Sequence, residues 1–382
     1  MNWRVPLADL DIGPQEEAAV LEVLRSRWLS MGEVTKQFEK EFAEFIGAKH
    51  TLAVTNATAA LHLACVAIGL GAGDEVILPS LTFVATANAI RYTGATPVFA
   101  DIESLDRLNI SPAAIESLIT ERTRAILVMH YAGFACDMHA IMEIAGRHAL
   151  VVLEDSAHAI GSELDGLKLG TLGRIGCFSF FSNKNMTTGE GGMLVTEDDA
   201  LADRLRILRS HGMTSLSWDR HKGHASTYDV VDLGYNYRID EMRSALGRVQ
   251  LGKLPLSNER RRELTVLYRE LLSELTPAVQ MPFAELRGTS CYHILPVLLP
   301  PGQDRAQFME GMKARGIQTS IHYPPVHRFH IYEDDWFARH NPLPLTEEAS
   351  ARQVTFPLFA TMQDEQVGWV VRAAEQVLKE IP

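Results

Sequence analysis

From Thr51 to Asp155 the chain alternates strand-length apolar runs with helix-length segments, and that alternation limits the folds open to it. TLAVT leads into AALHLACVAIGLG, EVILPS into FVATANAIRYTG, TPVFADI into SPAAIESLI and RAILVMHY into MHAIMEIAGRHA, before the series closes on LVVLED. The short runs are almost continuously apolar, as strands covered on both faces must be. Such a series predicts an α/β fold class with a mostly parallel mixed sheet between helices, and it places ligands beyond the carboxyl ends of the strands. Ser111 stands where it can cap a helix that has Pro112 at its first position.

The flanking segments extend this frame. Two helices precede it, GPQEEAAVLEVLRSRWLS and VTKQFEKEFAEFIGA, the second with Phe38, Phe42, Phe45 and Ile46 on one face. Between 171 and 196 the apolar runs IGCFSFFS and GGMLVT come close together around a polar loop, and the helix DDALADRLRILRSHG follows. After a polar, His-rich segment and the turn-like GYNYRID comes a helical tract from Glu241 to Leu275, which Pro255 is expected to interrupt. Beyond residue 280 the sequence reads as strand HILPVLLP, helix DRAQFMEGMKARG, strand QTSIHYPP, a proline-rich loop and the amphipathic helix DEQVGWVVRAAEQVLKEI. These readings divide the chain into a large domain, 1–245, and a smaller C-terminal α+β domain, 246–382.

Composition narrows the partners. With 382 residues, 46% apolar and 22% charged, the chain can bury a sizeable core and matches neither disordered nor collagenous sequences. No apolar run reaches the ~20 residues of a membrane helix, and MNWRVPLADLDIG has no basic stretch followed by an apolar one, so a cytoplasmic protein that engages no membrane is expected. A net charge of −12 disfavours nucleic acid as a partner. Cys65, Cys136, Cys177 and Cys291 lie far apart and read as reduced core residues. His322, His327 and His330 follow no common metal-ligand spacing, so no metal is expected.

Four strand ends offer chemistry. TNATAAL, Thr55 to Leu61, opens a helix with small residues whose free amides suit an anion, although a capped helix start accounts for the same residues. Phe83, after EVILPS, can stack on a flat heterocycle or simply fill space. Asp155, after LVVL, is costly to bury without a positive partner such as a protonated ring nitrogen, a metal or an arginine; it can also cap the next turn. His158 follows it in the same loop. Ser179 sits among aromatic residues, where a hydroxyl bonded to backbone serves equally well. Lys184 lies in FSFFSNKNMTTGEGG, between a strand and a turn whose Gly189, Gly191 and Gly192 are read as serving backbone geometry alone. No GxGxxG or GxxxxGK[ST] occurs, so the usual dinucleotide and P-loop signatures are missing. A phosphate cradle, an aromatic face, a carboxylate for a ring nitrogen and an amine able to form a Schiff base are together what pyridoxal phosphate requires.

The ordered motifs Trp28-Leu29-Ser30, TNATAAL, PSLTFVATANAI, EDSAHAIG, SFFSNKNMTTGEGG, RSHG, GYNYRIDEM and IHYPPVH resemble the DegT/DnrJ/EryC1 family of pyridoxal-phosphate-dependent nucleotide-sugar aminotransferases, over nearly the whole chain. The resemblance implies the aspartate aminotransferase-like (type I) fold and pyridoxal 5′-phosphate as cofactor. It implies Lys184 as the Schiff-base lysine and general base, Asp155 at the pyridinium nitrogen, Phe83 on the ring and His158 beside the ring hydroxyl. Thr58, Ala59 and Ser179 are implied at the phosphate, together with Asn236 from a neighbouring subunit, and hence a homodimer with shared active sites. Arg238 is expected to support the Asn236 loop, and His322 or Tyr323 to border the substrate. The implied substrates are glutamate and a keto-sugar linked to a nucleoside diphosphate, for amino-sugar biosynthesis. A glutamine-dependent scyllo-inosose aminotransferase is the nearest alternative, and a non-catalytic regulator binding the same ligands is the alternative from another class.

Overall fold

The computed structural model describes residues 3–214, 227–333, 339 and 341–381. Residues 215–226, which hold most of the His-rich segment, lie outside the described residues.

Helices α1 (Pro14–Ser26) and α2 (Glu33–Ile46) precede a regular α/β series. It runs β1 (His50–Val54), α3 (Ala57–Ala67), β2 (Glu75–Pro79), α4 (Val84–Tyr92) and β3 (Thr96–Ala100). A short hairpin of β4 (Ile102–Ser104) and β5 (Arg107–Ile110) leads into α5 (Pro112–Leu118), β6 (Thr123–Met129), α6 (Met138–His148) and β7 (Val151–Asp155). Ser111 caps α5 as expected, its side chain accepting from Ala114 N with Pro112 in the first turn. A second hairpin, β8 (Glu163–Leu164) and β9 (Leu167–Lys168), precedes β10 (Ile175–Ser179), β11 (Gly192–Thr196) and α7 (Asp199–Arg209).

The seven-stranded sheet has the order β1-β11-β10-β7-β6-β2-β3. Only β11 opposes its neighbours; it is antiparallel to both β1 and β10. The carboxyl ends of β1, β2, β7 and β10 therefore face one edge of the sheet. Leu52, Leu78, Leu127 and Leu153 pack towards α3, α4 and α7 on one face, and Ile77, Ile126 and Val152 pack towards α5 and α6 on the other. A third cluster joins the α2 stripe to the sheet through Phe38, Phe42, Phe178 and Phe180.

The remainder is carried by α8 (Glu241–Leu275), β12 (Leu295–Leu298), α9 (Arg305–Ala314), α10 (Pro344–Arg352), β13 (Gln353–Phe356) and α11 (Asp364–Glu380). Two expectations are corrected here. Helix α8 runs unbroken through Pro255, where an interruption was expected. QTSIHYPP is not a strand of the C-terminal sheet: Ser320 makes one isolated bridge to Thr355, and β12 pairs with β13. Pro324 and Pro325 have no N–H to give to a ladder, whereas Gln353–Phe356 forms four register pairs with β12.

Helix α2 starts after Gly32, which has no side chain to satisfy its first amides. Glu241, the first residue of α8, does so from a distance. Its carboxylate accepts from Gly32 N at 2.8 Å, Val34 N at 2.8 Å, Thr35 N at 2.9 Å and Thr35 Oγ1 at 2.6 Å. A buried anion at a helix N-terminus also meets the favourable end of the helix dipole. Replacing Glu241 by Ala should lower the unfolding free energy by about 3 kcal/mol by stranding these donors, and Glu241→Gln by less. Urea unfolding midpoints read this directly, and an unchanged midpoint for the alanine variant would refute the capping role.

Candidate active site

The parallel direction of β1, β2, β7 and β10 brings the loops after them to a common cavity of about 460 Å³. Its lining includes Asn56, Ala57 and Thr58 after β1, Phe83 after β2, Asp155 and His158 at β7, and Ser179 and Lys184 at and after β10. His322 and Tyr323 of the C-terminal part close another side.

At the start of α3, Asn56 is the cap, and its Oδ1 accepts from Ala59 N at 2.8 Å. Ala59, expected at a phosphate, thus gives its N–H to the cap and does not line the cavity. The amides of Ala57 and Thr58 belong to the first helical turn, where intrahelical acceptors are lacking, and both residues line the cavity. The backbone of β11 passes directly beneath: a Cβ on Gly192 would lie 2.6 Å from Asn56 C and 2.8 Å from Ala57 N. The GEGG turn therefore keeps this helix start against the sheet. It also does more than expected, because Glu190 lines the cavity.

Strand alternation separates the two acids of β7. Glu154 turns away from the cavity and accepts from Gly170 N at 2.8 Å, Leu172 N at 2.7 Å and the His130 ring at 2.9 Å. Asp155 turns towards it. Thr86 Oγ1 donates to Asp155 Oδ2 at 2.8 Å, and Ala157 N donates to Oδ1 at 3.1 Å. Burial pushes the Asp155 carboxyl above its usual range, while these donors and then the Lys184 charge pull against it. Burial likewise brings the Lys184 amine down from 10.5 to about 8, partly offset by attraction to Asp155 and Cys291.

His158 is also buried, which holds its ring well below the ordinary histidine range. Ala132 N donates to its Nδ1 at 3.3 Å, so the proton of the neutral ring sits on Nε2 and points to Tyr323 OH, 2.8 Å away. Tyr323 in turn packs against Phe83 with ring centroids 5.6 Å apart. Phe83 is 53% exposed, so it does not fill the core and its ring is available to the cavity. Ser179 Oγ accepts from Phe181 N at 3.3 Å, and its hydroxyl hydrogen remains free to turn. A helix start with open amides, a hydroxyl, an available aromatic face, a buried carboxylate and a near-neutral lysine fit a phosphate-bearing, protonated heterocycle with an aldehyde.

Asn236 is exposed and lies outside this lining. The three histidines of IHYPPVHRFH diverge. His322 Nδ1 meets Thr355 Oγ1 at 2.9 Å, His327 is held by Ser80 Oγ at 2.7 Å and Glu347 Oε1 at 2.6 Å, and the His330 side chain is fully exposed. All four cysteines are buried and free. Among the described residues no helix is long and apolar enough to cross a membrane. Thr86, Asn183, Glu190 and His293 escaped the reading of the sequence. Thr86 sits three residues after Phe83 within the quoted PSLTFVATANAI and was within reach of it, whereas nothing local marks His293.

Comparison with known proteins gives a consistent picture. The sequence model described as the DegT/DnrJ/EryC1/StrS aminotransferase family matches residues 10–375. The spore coat polysaccharide biosynthesis protein SpsC of Bacillus subtilis is 40% identical over 373 residues, covering 96% of this chain and 95% of that protein. Helicobacter pylori PseC, an aminotransferase involved in the biosynthesis of pseudoaminic acid, superposes with a TM-score of 0.91 at 32% identity over 100% of both chains. DesI, solved in the presence of its TDP-sugar product, gives 0.87 at 32% identity over 98% of this chain and 92% of its own.

The lowered Lys184 value has a definite sign. Between about 8 and 10.5 the folded protein holds the amine neutral while the unfolded chain holds it protonated, so this group makes stability rise with pH across that window. Labelling of Lys184 in the full-length protein by acetic anhydride, followed by mass spectrometry, should rise with pH about a midpoint near 8. A midpoint near that of an ordinary lysine would contradict the desolvated site.

Proposed function

The chain belongs to the DegT/DnrJ/EryC1/StrS aminotransferase family, and on that premise we propose that it moves an amino group from glutamate to a keto-sugar carried on a nucleoside diphosphate, for the making of an amino sugar. It is a sugar aminotransferase that works with pyridoxal 5′-phosphate. The observation that carries the finer reading is the cavity in which a buried carboxylate, a near-neutral lysine and an open helix start meet. DesI, solved with a TDP-sugar product, supports the nucleotide-linked substrate.

When bound, the cofactor supplies an electron sink for the carbanion left behind by a departing C–H proton. Lys184 Nζ, as the neutral amine, takes the α-proton of the donor, holds it as ammonium and returns it on the far side of the transfer; with the keto-sugar the same proton runs in reverse. Asp155 would hold the proton of the ring nitrogen, and that positive partner offsets the cost of its own burial. The Thr58 and Ala57 amides and the Ser179 hydroxyl would bind the phosphate, as helix N-termini bind anions. Phe83 would cover one ring face, and His158, its Nε2 proton engaged by Tyr323, would stand beside the ring hydroxyl. Asn236, exposed in this chain, would reach the phosphate in a second copy, making the active unit a homodimer.

The test is a panel of nucleotide-linked keto-sugars and scyllo-inosose, offered with glutamate or glutamine to the cofactor-loaded protein. Amino-sugar and 2-oxoglutarate should form from glutamate and at least one nucleotide sugar. Turnover confined to scyllo-inosose with glutamine would overturn the substrate assignment. Lys184→Ala should retain cofactor yet lose at least about 10³-fold in kcat, the loss expected of a missing general base; steady-state turnover near that of the parent would remove Lys184 from the role.

A further inference from the structure

The hydrogen-bond partner of the Lys184 amine is His293, with Nζ 3.3 Å from Nε2. The direction of this bond is set from the far side of the imidazole. His293 Nδ1 lies 2.9 Å from Asn185 Oδ1. Asn185 has both N–H groups engaged, donating from Nδ2 to Asn258 Oδ1 at 2.7 Å and to Cys291 O at 2.8 Å. The atom it turns to the histidine is thus its carbonyl oxygen, which can only accept. His293 must carry its proton on Nδ1, and its Nε2 presents a bare lone pair to the lysine.

The imidazole is held firmly in that position. His293 N donates to Ala132 O at 2.9 Å, and the buried Arg261 of α8 donates from Nη1 to His293 O at 3.0 Å. Only 2% of His293 is exposed, and the His158 ring packs beside it with centroids 4.3 Å apart. Burial, reinforced by the charges of Lys184 and Arg261, keeps the His293 ring far below its ordinary range and therefore neutral.

We infer that His293, with its tautomer fixed by Asn185, is a positioning residue of the transamination: Nε2 accepts an N–H of Lys184 whenever that amine is not covalently engaged and keeps it directed into the cavity between proton transfers. The inference rests on the proposed role of Lys184. A neutral acceptor favours the ammonium over the amine, because a charge-assisted hydrogen bond is roughly twice as strong as a neutral one. His293 therefore acts in the same sense as Asp155 and Cys291, which also raise the lysine, and against the burial that lowers it. The remaining titratable groups facing this cluster are His158, His322 and Tyr323.

The test follows acetic anhydride labelling of Lys184 against pH in the full-length, cofactor-free protein. The wild-type midpoint is expected near 8, and His293→Phe should move it down by about one pH unit, giving roughly tenfold faster labelling below the midpoint. His293→Gln, which retains an acceptor, should follow the wild type. His293→Asn removes Nε2 but keeps a polar group opposite Asn185, and it should move the midpoint as phenylalanine does if the phenylalanine variant does not fold. A midpoint unchanged in the Phe and Asn variants, or moved equally by Gln, overturns the inference. Absorbance on adding pyridoxal phosphate to the same proteins separates the two ideas: failure of the wild type to attach it at Lys184 removes the proposed role of that lysine, whereas attachment with unchanged midpoints removes only the role of His293.

Discussion

A carboxylate and an amine withdrawn from water in one cavity set the terms for the rest of this structure. Desolvation pushes Asp155 towards its acid and Lys184 towards its free base, and the attraction between them opposes both shifts. Such a pair is costly unless its surroundings are rigid and its remaining hydrogen-bonding capacity is met. Thr86 and the Ala157 amide meet it for Asp155, and His293 meets it for Lys184. The same withdrawal from water brings the amine near the pH at which it can both give and take a proton, so the energetic burden and the chemical competence have one origin.

Helix α8 links this pair to the periphery. Its first residue, Glu241, caps α2. Further along, Arg261 donates to His293 O and to Leu358 O, and Asn258 orients Asn185. One helix thus satisfies the start of α2 at one end and orients the neighbours of the lysine further along. An inserted proline costs one intrahelical hydrogen bond. Side-chain hydrogen bonds on either side of Pro255, from Gln250 to Asp11 O and Glu16 and from Arg261 to His293 O and Leu358 O, hold α8 in place through it.

Much of the site was legible in the order of the sequence. Near-continuous apolar runs separated by helices require a covered parallel sheet, and a parallel sheet gathers its strand ends at one edge. Phe83, Asp155, His158, Ser179 and Lys184 could be singled out on that ground, Thr58 only through the family resemblance, and all of them line the cavity. Sequence does not reveal which of the first amides of a helix the cap consumes; Asn56 takes the one from Ala59. The strand Gln353–Phe356 was overlooked because only Val354 and Phe356 of its residues are apolar, while the β-rich QTSIHY ends in prolines that withhold donors.

The sequence by itself determined the alternation, and with it the sheet and the set of strand ends, because burial on two faces leaves a periodic trace along the chain. It also carried enough ordered motifs to indicate a family. Only the tertiary structure decided that Glu241 caps α2 across 209 residues and that His293, 109 residues beyond Lys184, is the acceptor for its amine. It also fixed which His293 nitrogen bears the proton. Those relations depend on hydrogen bonds between segments remote in the chain, and a hydrogen bond imposes distance and direction on its partners but no spacing on the sequence.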